Sequence, residues 1–307
     1  MANKNEMTVV NNKYRIKERD ISDRIFHIAV LVLSILCFIV ILYPLWFVVI
    51  ASISNSDMVN RGEVVFWPKD IRFYGFQQIF QDARILTGYR NTLLYVVGGT
   101  LLNMIVTMPA AYALSRPDFK ARNKVMLYFV FTMYFSGGMI PRYLFLKNYL
   151  GMGDHLGSLI IPGAISAYNM IIMRTAFSSI PDDLEEAARI DGANDFVILF
   201  QIVLPLSMAT VAVMILFYGV GHWNAWFDAM IFLRTRGLYP LQLILREILV
   251  NNSTDSMTAG AVMEDVEQLS DNLKYATIIV ATLPILCVYP IIQRHFVKGV
   301  MIGAVKG

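Results

Sequence analysis

The strongest candidate for chemistry in this sequence is an acidic stretch between two long apolar segments. It runs from Pro181 to Pro205, and its first half carries five acidic residues: Asp182, Asp183, Glu185, Glu186 and Asp191. The chain has a mean hydropathy of +0.54 and only 16% charged residues. Because charged side chains are costly in lipid, this stretch must lie in water. Its carboxylates are therefore available to contact another molecule there.

A second set of polar residues interrupts the apolar segment that follows Pro205. Between Phe217 and Asp228 the sequence reads F-Y-G-V-G-H-W-N-A-W-F-D. Polar residues in the middle of a spanning segment are costly against lipid, so they should face the interior of a helix bundle. There they either line a pathway or hold helices together. In a pathway, Trp rings would be stacking surfaces and Asn a hydrogen-bonding group. With polar and aromatic residues of neighbouring segments, the candidate pathway residues are Tyr134, Asn169, Tyr218, Trp223, Asn224, Trp226 and Asp228.

The third apolar segment is interrupted by Ser136-Gly137-Gly138, followed by Pro141 and Arg142. A broken helix at membrane depth is tolerated only where it faces protein or a water-filled cavity. We therefore expect the outer half of this segment to line a wet space.

Motifs for enzymatic chemistry are missing from the sequence. It contains no G-x-x-x-x-G-K-[ST] phosphate-binding loop and no G-x-S-x-G nucleophile elbow. The four histidines are scattered without metal-ligand spacing. We expect no catalytic residues, no metal site and no nucleic-acid partner. If energy for transport does not come from an ion gradient, it would have to come from a partner.

Composition places the chain among integral membrane proteins. Of its 307 residues, 56% are hydrophobic. A helix needs about 20 apolar residues to cross a bilayer, and the runs lack the period-two alternation of barrel strands. The prediction is an all-α, polytopic protein with six transmembrane helices at roughly 24–50, 91–115, 125–146, 156–178, 205–233 and 276–292.

Lys and Arg clusters predict the orientation of these helices. They are dense before Arg24 and between Arg116 and Lys124, and basic residues favour the cytoplasmic side. We expect a cytoplasmic tail at 1–23, a six-helix domain at 24–294 with a cytoplasmic loop at 179–205, and a cytoplasmic tail at 295–307. The first apolar run exceeds the length of a signal-peptide core, so we expect it to remain as the first helix.

Local signals predict a helix, a turn and a second helix within the acidic stretch. Pro181 suits a first helical turn, with Ser178 or Ser179 as cap, and the acidic residues oppose the positive end of the helix dipole. Glu185 is expected to pair with Arg189 one turn later. Gly192 should end the helix at positive φ, Asn194 or Asp195 should cap the second helix, and Pro205 should break it. These features alone fit equally well a docking surface and a simple connection between two spans.

The spacing of this stretch resembles a known family. It consists of Glu186-Ala187-Ala188, three residues, Gly192, nine residues and Ile202-Val203-Leu204-Pro205. This spacing is similar to the E-A-A-x3-G-x9-I-x-L-P signature of the membrane permeases of bacterial ATP-binding-cassette (ABC) importers. The sequence also resembles the maltose-type and oligosaccharide-type subgroup of these permeases. The similar features are Trp223-Asn224, the run 238–249 and the closing Gly303-Ala304-Val305-Lys306-Gly307.

This resemblance implies a type I importer permease fold and a coupling helix that sits in a cleft of an ATPase subunit. Glu186 would make the charged contact, Ala187 and Ala188 would allow close packing, and Gly192 would form the turn. The implied coupling residues are Asp183, Glu185, Glu186, Ala187, Ala188, Arg189, Gly192 and Pro205.

The resemblance also implies the assembly and its energy source. The partners would be a second permease, as a heterodimer, two ATPase subunits that use ATP and Mg, and an extracytoplasmic solute-binding protein. The chain itself would hold no cofactor and would lie in the bacterial cytoplasmic membrane.

The implied function is ATP-driven import of a sugar or oligosaccharide by alternating access. Two alternatives remain at this point: a permease for another solute such as peptides or amino acids, and an ion-coupled carrier working alone.

Overall fold

The computed structural model describes residues 21–258, 273–287 and 290, and within these ranges the chain is built from helices without any strand. The α-helices are α1 Ile21–Ser52, α2 Ser56–Asn60, α3 Tyr74–Gln81, α4 Ala83–Ser115, α5 Arg122–Tyr134, α6 Met139–Leu144, α7 Gly157–Ile160, α8 Ala167–Ser178, α9 Asp182–Ile190, α10 Asp195–Ile198, α11 Leu204–Leu206, α12 Met208–Trp223, α13 Phe227–Phe232, α14 Leu241–Thr258 and α15 Leu273–Cys287. Short π-helical or 3-10 turns occupy Phe145–Tyr149, Ile161–Gly163, Leu199–Val203 and Arg236–Leu238.

The long apolar segments differ in how continuous they are. Helices α1 and α4 are long and apolar enough to cross a membrane unbroken. Two further candidates are bent pairs: Gly157–Gly163 with α8 at 48°, and Asp195–Leu206 with α12 at 88°. The predicted all-α class is confirmed. The count of six spans stays a prediction.

The third predicted segment is broken where its glycines lie. Helix α5 ends at Tyr134, the chain turns through Gly138 at φ +85°, and α6 begins at Met139. An L-residue with a side chain would be strained at that φ, which is why glycine stands there. The break turns the following residues into a separate short helix.

Helix α4 forms the centre of the packing and contacts both α8 and α12. The largest core cluster lies between these three helices and includes the fully buried side chains of Met170, Met173, Phe177 and Met214. Apolar burial of this kind is the main favourable term in such packing.

Polar groups tie the same three helices together. The Asn103 amide donates to the Gly163 carbonyl at 2.6 Å, and its oxygen lies 2.7 Å from His222 Nε2. The Tyr218 hydroxyl lies 2.8 Å from that of Thr107 and accepts from the backbone N–H of Ser166. Each of these polar side chains thereby has a partner, as apolar surroundings require.

The outer surface of the helices is apolar. The most apolar window of α1 has no buried residue, and that of α4 is only 28% buried. Exposed Leu, Ile, Val and Phe side chains on this scale fit lipid or another protein rather than water.

Candidate functional site

The acidic stretch folds as predicted into a helix, a turn and a second helix. Helix α9 begins after Pro181, and Asp182, Asp183 and Glu185 lie in its first turn. These carboxylates face the positive end of the helix dipole, which stabilises them. The expected serine cap is wrong: the N-cap is Pro181, with no capping side chain, and the Ser179 hydroxyl donates to the Ala176 carbonyl at 2.7 Å.

The predicted pair between Glu185 and Arg189 is also wrong. Glu185 turns inward and forms a buried ion pair with Arg116, in which the two side chains are 7% and 8% exposed. Arg189 instead pairs with Asp195 at 2.8 Å, on the exposed surface. The reason is that Arg116, at the end of α4, is buried beneath α9, where only a carboxylate can balance its charge.

Arg116 joins α9 to two spans. Its guanidinium donates to the Phe177 carbonyl at the end of α8 at 2.8 Å and to the Ser115 hydroxyl at 2.9 Å. It also lies 5.1 Å from the centre of the Tyr112 ring. The same guanidinium forms the ion pair with Glu185 of α9. A displacement of α9 must therefore act through Arg116 on the ends of α4 and α8.

The opposite face of α9 is open. Asp183, Glu186 and Ala187 are exposed, and so is Arg189, whereas Ala188 is half-buried against the core. Leu184 and Ile190 extend the open face with apolar surface, Ile190 being 86% exposed. Among the described residues Glu186 has no hydrogen-bonding or ionic partner. This face, defined by these residues, is called the docking face below.

The turn after α9 has the geometry that its sequence predicts. Gly192 has φ +85°, and the Asn194 side chain caps α10 by accepting from the Val197 N–H at 2.9 Å. The helix does not break at Pro205 as expected. It passes through a π-helical turn at Leu199–Val203 and bends at Ser207. Since Pro205 has no N–H to donate, the turn before it can widen, and the chain bends two residues later.

The candidate pathway residues do not form a single site. Tyr218 and Trp223 are buried, and the Trp223 indole donates to the Ala281 carbonyl of α15 at 3.0 Å. Asn169 is buried in α8. Tyr134 is 80% exposed, and the Asn224 amide donates to the Val220 carbonyl of its own helix. Tyr218 and Trp223 thus hold helices together.

Trp226 and Asp228 interact with cations. The Arg246 guanidinium lies 3.7 Å from the centre of the Trp226 ring. Asp228 pairs with Arg142, which donates to the two carboxylate oxygens at 2.9 and 3.3 Å. Of the seven candidates, only Asp228 lines a cavity of about 600 Å³ between the glycine break and α13.

Two important residues are missing from the sequence-based candidates. Arg116 begins a basic cluster and Arg142 lies in largely apolar sequence, and each pairs with a carboxylate far away in the chain. The sequence positions of both residues could have identified them, because Arg116 follows the end of a span and Arg142 follows the glycine break.

A carboxylate clamp holds the chain where it leaves α13. Asp154 accepts from the Arg234 and Thr235 N–H groups at 2.8 and 2.9 Å and from the Thr235 hydroxyl at 2.6 Å. The Thr235 hydroxyl, followed by the two backbone N–H groups, lowers the pKa of Asp154 to about 2. The stability that the clamp contributes is therefore present above the ordinary pKa of 3.8 and is lost only as pH falls through about 2.

The apolar helical fold is that of a membrane protein, and α9 is a helix that is anchored on one side and open on the other. Comparison with known proteins gives the family of the chain. Residues 83–302 match the family described as binding-protein-dependent transport system inner membrane component. The chain belongs to this family, whose members are permease subunits of ABC importers that work with a separate ATPase and a solute-binding protein.

Individual relatives cover nearly the whole chain. It is 38% identical to the polygalacturonan/rhamnogalacturonan transport system permease protein YtcP of Bacillus subtilis, over 93% of this chain and 99% of that protein. It is 35% identical to Protein LplC of the same organism, over 86% and 89% of the two chains.

A solved structure is similar over the same extent. It is a bacterial ABC transporter involved in the import of the acidic polysaccharide alginate, with a TM-score of 0.80 and 36% identity over 90% of this chain and 98% of that one.

Proposed function

We propose that this chain is one of two different permease subunits of an importer that carries a sugar or oligosaccharide across the cytoplasmic membrane. The single observation that carries the transport mechanism is α9, with its exposed docking face and its buried tie to the spans through Glu185 and Arg116. The proposed cargo follows from relatives named for polygalacturonan, arabinooligosaccharides and lactose.

In this proposal α9 is the coupling helix. An ATPase subunit that binds ATP and Mg holds the docking face, and Glu186 makes the charged contact. When two such ATPase subunits close on each other, α9 moves. The buried ion pair passes that movement to the ends of α4 and α8, which are packed on α12. The bundle then opens alternately to its two sides.

The proposed orientation places both termini and α9 in the cytoplasm. The basic residues before the first span and those after α4 support it, because they favour the cytoplasmic side of a membrane. The break at Gly138, Arg142 and the Asp154 clamp then lie toward the outside, where a solute-binding protein delivers cargo.

Uptake by the reconstituted complex of this chain, its partner permease, the ATPase and the binding protein tests the function. We expect uptake of a labelled oligosaccharide that requires ATP and stops when any one subunit is omitted. Uptake of a peptide but of no sugar would overturn the proposed cargo. Transport by this chain alone without ATP would overturn the importer mechanism.

A further inference from the structure

The glycine break, α6 and α13 enclose a cavity with a charged pair at its wall. Its volume is about 600 Å³, within the range of small-molecule sites, about 300–1,000 Å³. Its lining includes Ser136, Gly138, Arg142, Tyr143, Asp228 and Phe232. This combination of aromatic surface and a few polar groups is typical of a ligand site.

Arg142 presents a fork that fits a carboxylate. In the structure Asp228 occupies it, with oxygen distances of 2.9 and 3.3 Å from the two terminal nitrogens. Both side chains line the cavity and are partly exposed, Arg142 at 47% and Asp228 at 32%. An ion pair exposed in this way contributes little net stability. The carboxylate of a ligand can therefore replace Asp228 at small cost.

The surroundings of the cavity favour an anion. Lys147 donates to the Tyr143 hydroxyl at 2.8 Å, and Arg234 also interacts with that hydroxyl. The other acidic residue nearby, Asp154, is already held by Thr235 and by backbone N–H groups. Among the described residues, two further cations thus lie beside the Tyr143 hydroxyl, which is itself part of the cavity lining, and Arg142 pairs with the one exchangeable carboxylate.

An aromatic wall lies beside the fork. The Tyr143 and Phe232 rings lie 5.6 Å apart, and Phe145 and Phe227 also line the cavity. Rings of this kind offer apolar faces to the C–H face of a sugar, while Arg142 fixes a charged substituent. Once released, Asp228 can accept hydrogen bonds from sugar hydroxyls.

We propose that this cavity binds an acidic sugar during import, with Arg142 holding the carboxylate of a uronate unit. The proposal rests on the proposed function and narrows its cargo to sugars that carry carboxylates. Alginate is named as an acidic polysaccharide for the similar solved structure, and polygalacturonan in a relative's name is likewise a chain of uronates. The guanidinium of Arg142 and the two cations beside Tyr143 are features of this chain itself that favour such a cargo.

Uptake of a galacturonate trisaccharide and of its methyl ester by the complete reconstituted transporter tests the proposal. The ester has the same rings without the charge. In Arg142→Gln we expect acid uptake to fall at least about tenfold, as for the loss of a charge-assisted contact, with little change for the ester. Arg142→Lys should keep part of the acid uptake, because it retains the charge but not the fork.

Two further variants sharpen the test. Arg72 forms a comparable exposed pair with Asp70 at 2.8 Å, away from the cavity, so Arg72→Gln should leave both cargoes unaffected. Asp228→Asn removes the charge that competes for Arg142, and we expect a lower KM for the acid. A higher KM for the acid in that variant would contradict the exchange of carboxylates.

The remaining outcomes distinguish a failure of this proposal from a failure of the proposed sugar import on which it rests. Equal loss of acid and ester in Arg142→Gln would assign Arg142 to folding or to docking of the binding protein, and would overturn the proposal. Uptake of neutral sugars but not of the acid by the unmodified complex would overturn the acidic cargo and leave the sugar importer intact. Uptake of no sugar would overturn both.

Discussion

At the scale of residues, two neighbouring carboxylates have opposite environments. Glu185 is buried against Arg116, whereas Glu186 is exposed on the docking face. Consecutive helical positions point about 100° apart, so one can anchor the helix while the next contacts a partner. The two residues should therefore fail in different ways when they are changed.

Reversing the charge at Glu186 should uncouple transport. We expect Glu186→Lys to insert and fold normally, because this side chain has no partner among the described residues, but to lose ATP-dependent uptake. Uptake and ATPase activity of the reconstituted complex measure this. Glu63→Lys, at an acid with an exposed Lys69 partner away from α9, is the control. Normal uptake by Glu186→Lys would refute the role proposed for Glu186.

Neutralising Glu185 should destabilise the protein itself. Glu185→Gln leaves Arg116 buried without its counter-charge, and breaking such a pair costs about 3–5 kcal/mol. Arg189→Gln breaks only an exposed pair, worth at most about 1 kcal/mol. Unfolding temperatures of the two purified variants give the comparison. A smaller loss in Glu185→Gln than in Arg189→Gln would show that the buried pair does not anchor α9.

At the scale of elements, the turn between α9 and α10 depends on one backbone conformation. Gly192 has φ +85°, and a Cβ placed there would meet no atom within 4 Å. A substitution at this position is therefore limited by backbone strain and not by space.

Two substitutions at Gly192 separate these causes. Gly192→Val should cost about 1–2 kcal/mol, because the left-handed region is unfavourable for L-residues with a branched side chain. Gly192→Asn should be tolerated, since Asn enters this region readily. ATPase activity stimulated by the binding protein, measured for each variant, should fall only in Gly192→Val. Equal activity of the two variants would mean that the turn tolerates another geometry.

The packing of α4 against α12 depends on Gly99. A Cβ there would overlap the His222 ring, which Asn103 holds in place. We expect Gly99→Ala to lower stability by about 1–3 kcal/mol through overpacking. The adjacent Gly98→Ala makes only an ordinary 3.6 Å contact and is the matched control. Thermal unfolding in detergent distinguishes them, and equal unfolding temperatures would show that His222 can move aside.

At the scale of the whole molecule, the apolar surface points to an assembly. The most apolar window of α1 is not buried at all, and only 28% of that of α4 is buried. Lipid can cover such surface, but the proposed function requires a second permease against part of it.

Coexpression tests this requirement. We expect this chain to unfold at a higher temperature when purified with its partner permease than when purified alone, because a folded state that binds a partner is stabilised by that binding. Thermal unfolding with size-exclusion chromatography in one detergent measures both the gain and the complex. Identical unfolding temperatures and no complex would contradict the proposed heterodimer.

The helical class and the local helix-turn-helix form of the acidic stretch were predictable because they depend on neighbours in the sequence. Apolar runs, the positive φ of Gly192 and the Asn194 cap each involve residues within a few positions of one another. The same local rules predicted Glu185 with Arg189, one turn away, and there they were wrong.

Only the tertiary structure decided the long-range partners. Arg116 and Glu185 are 69 positions apart, and Arg142 and Asp228 are 86 apart. The packing of α4, α8 and α13 decides where each cation lies. The position of the cation then decides which carboxylate pairs with it. For Arg116, burial makes an unpaired charge so costly that the distant Glu185 is held there, and Arg189 one turn away from Glu185 is left to pair with Asp195. The sequence by itself determined the helices and the local form of the acidic stretch, because both depend on near neighbours. Tertiary packing determined the buried Arg116–Glu185 pair and the cavity beside Arg142 and Asp228.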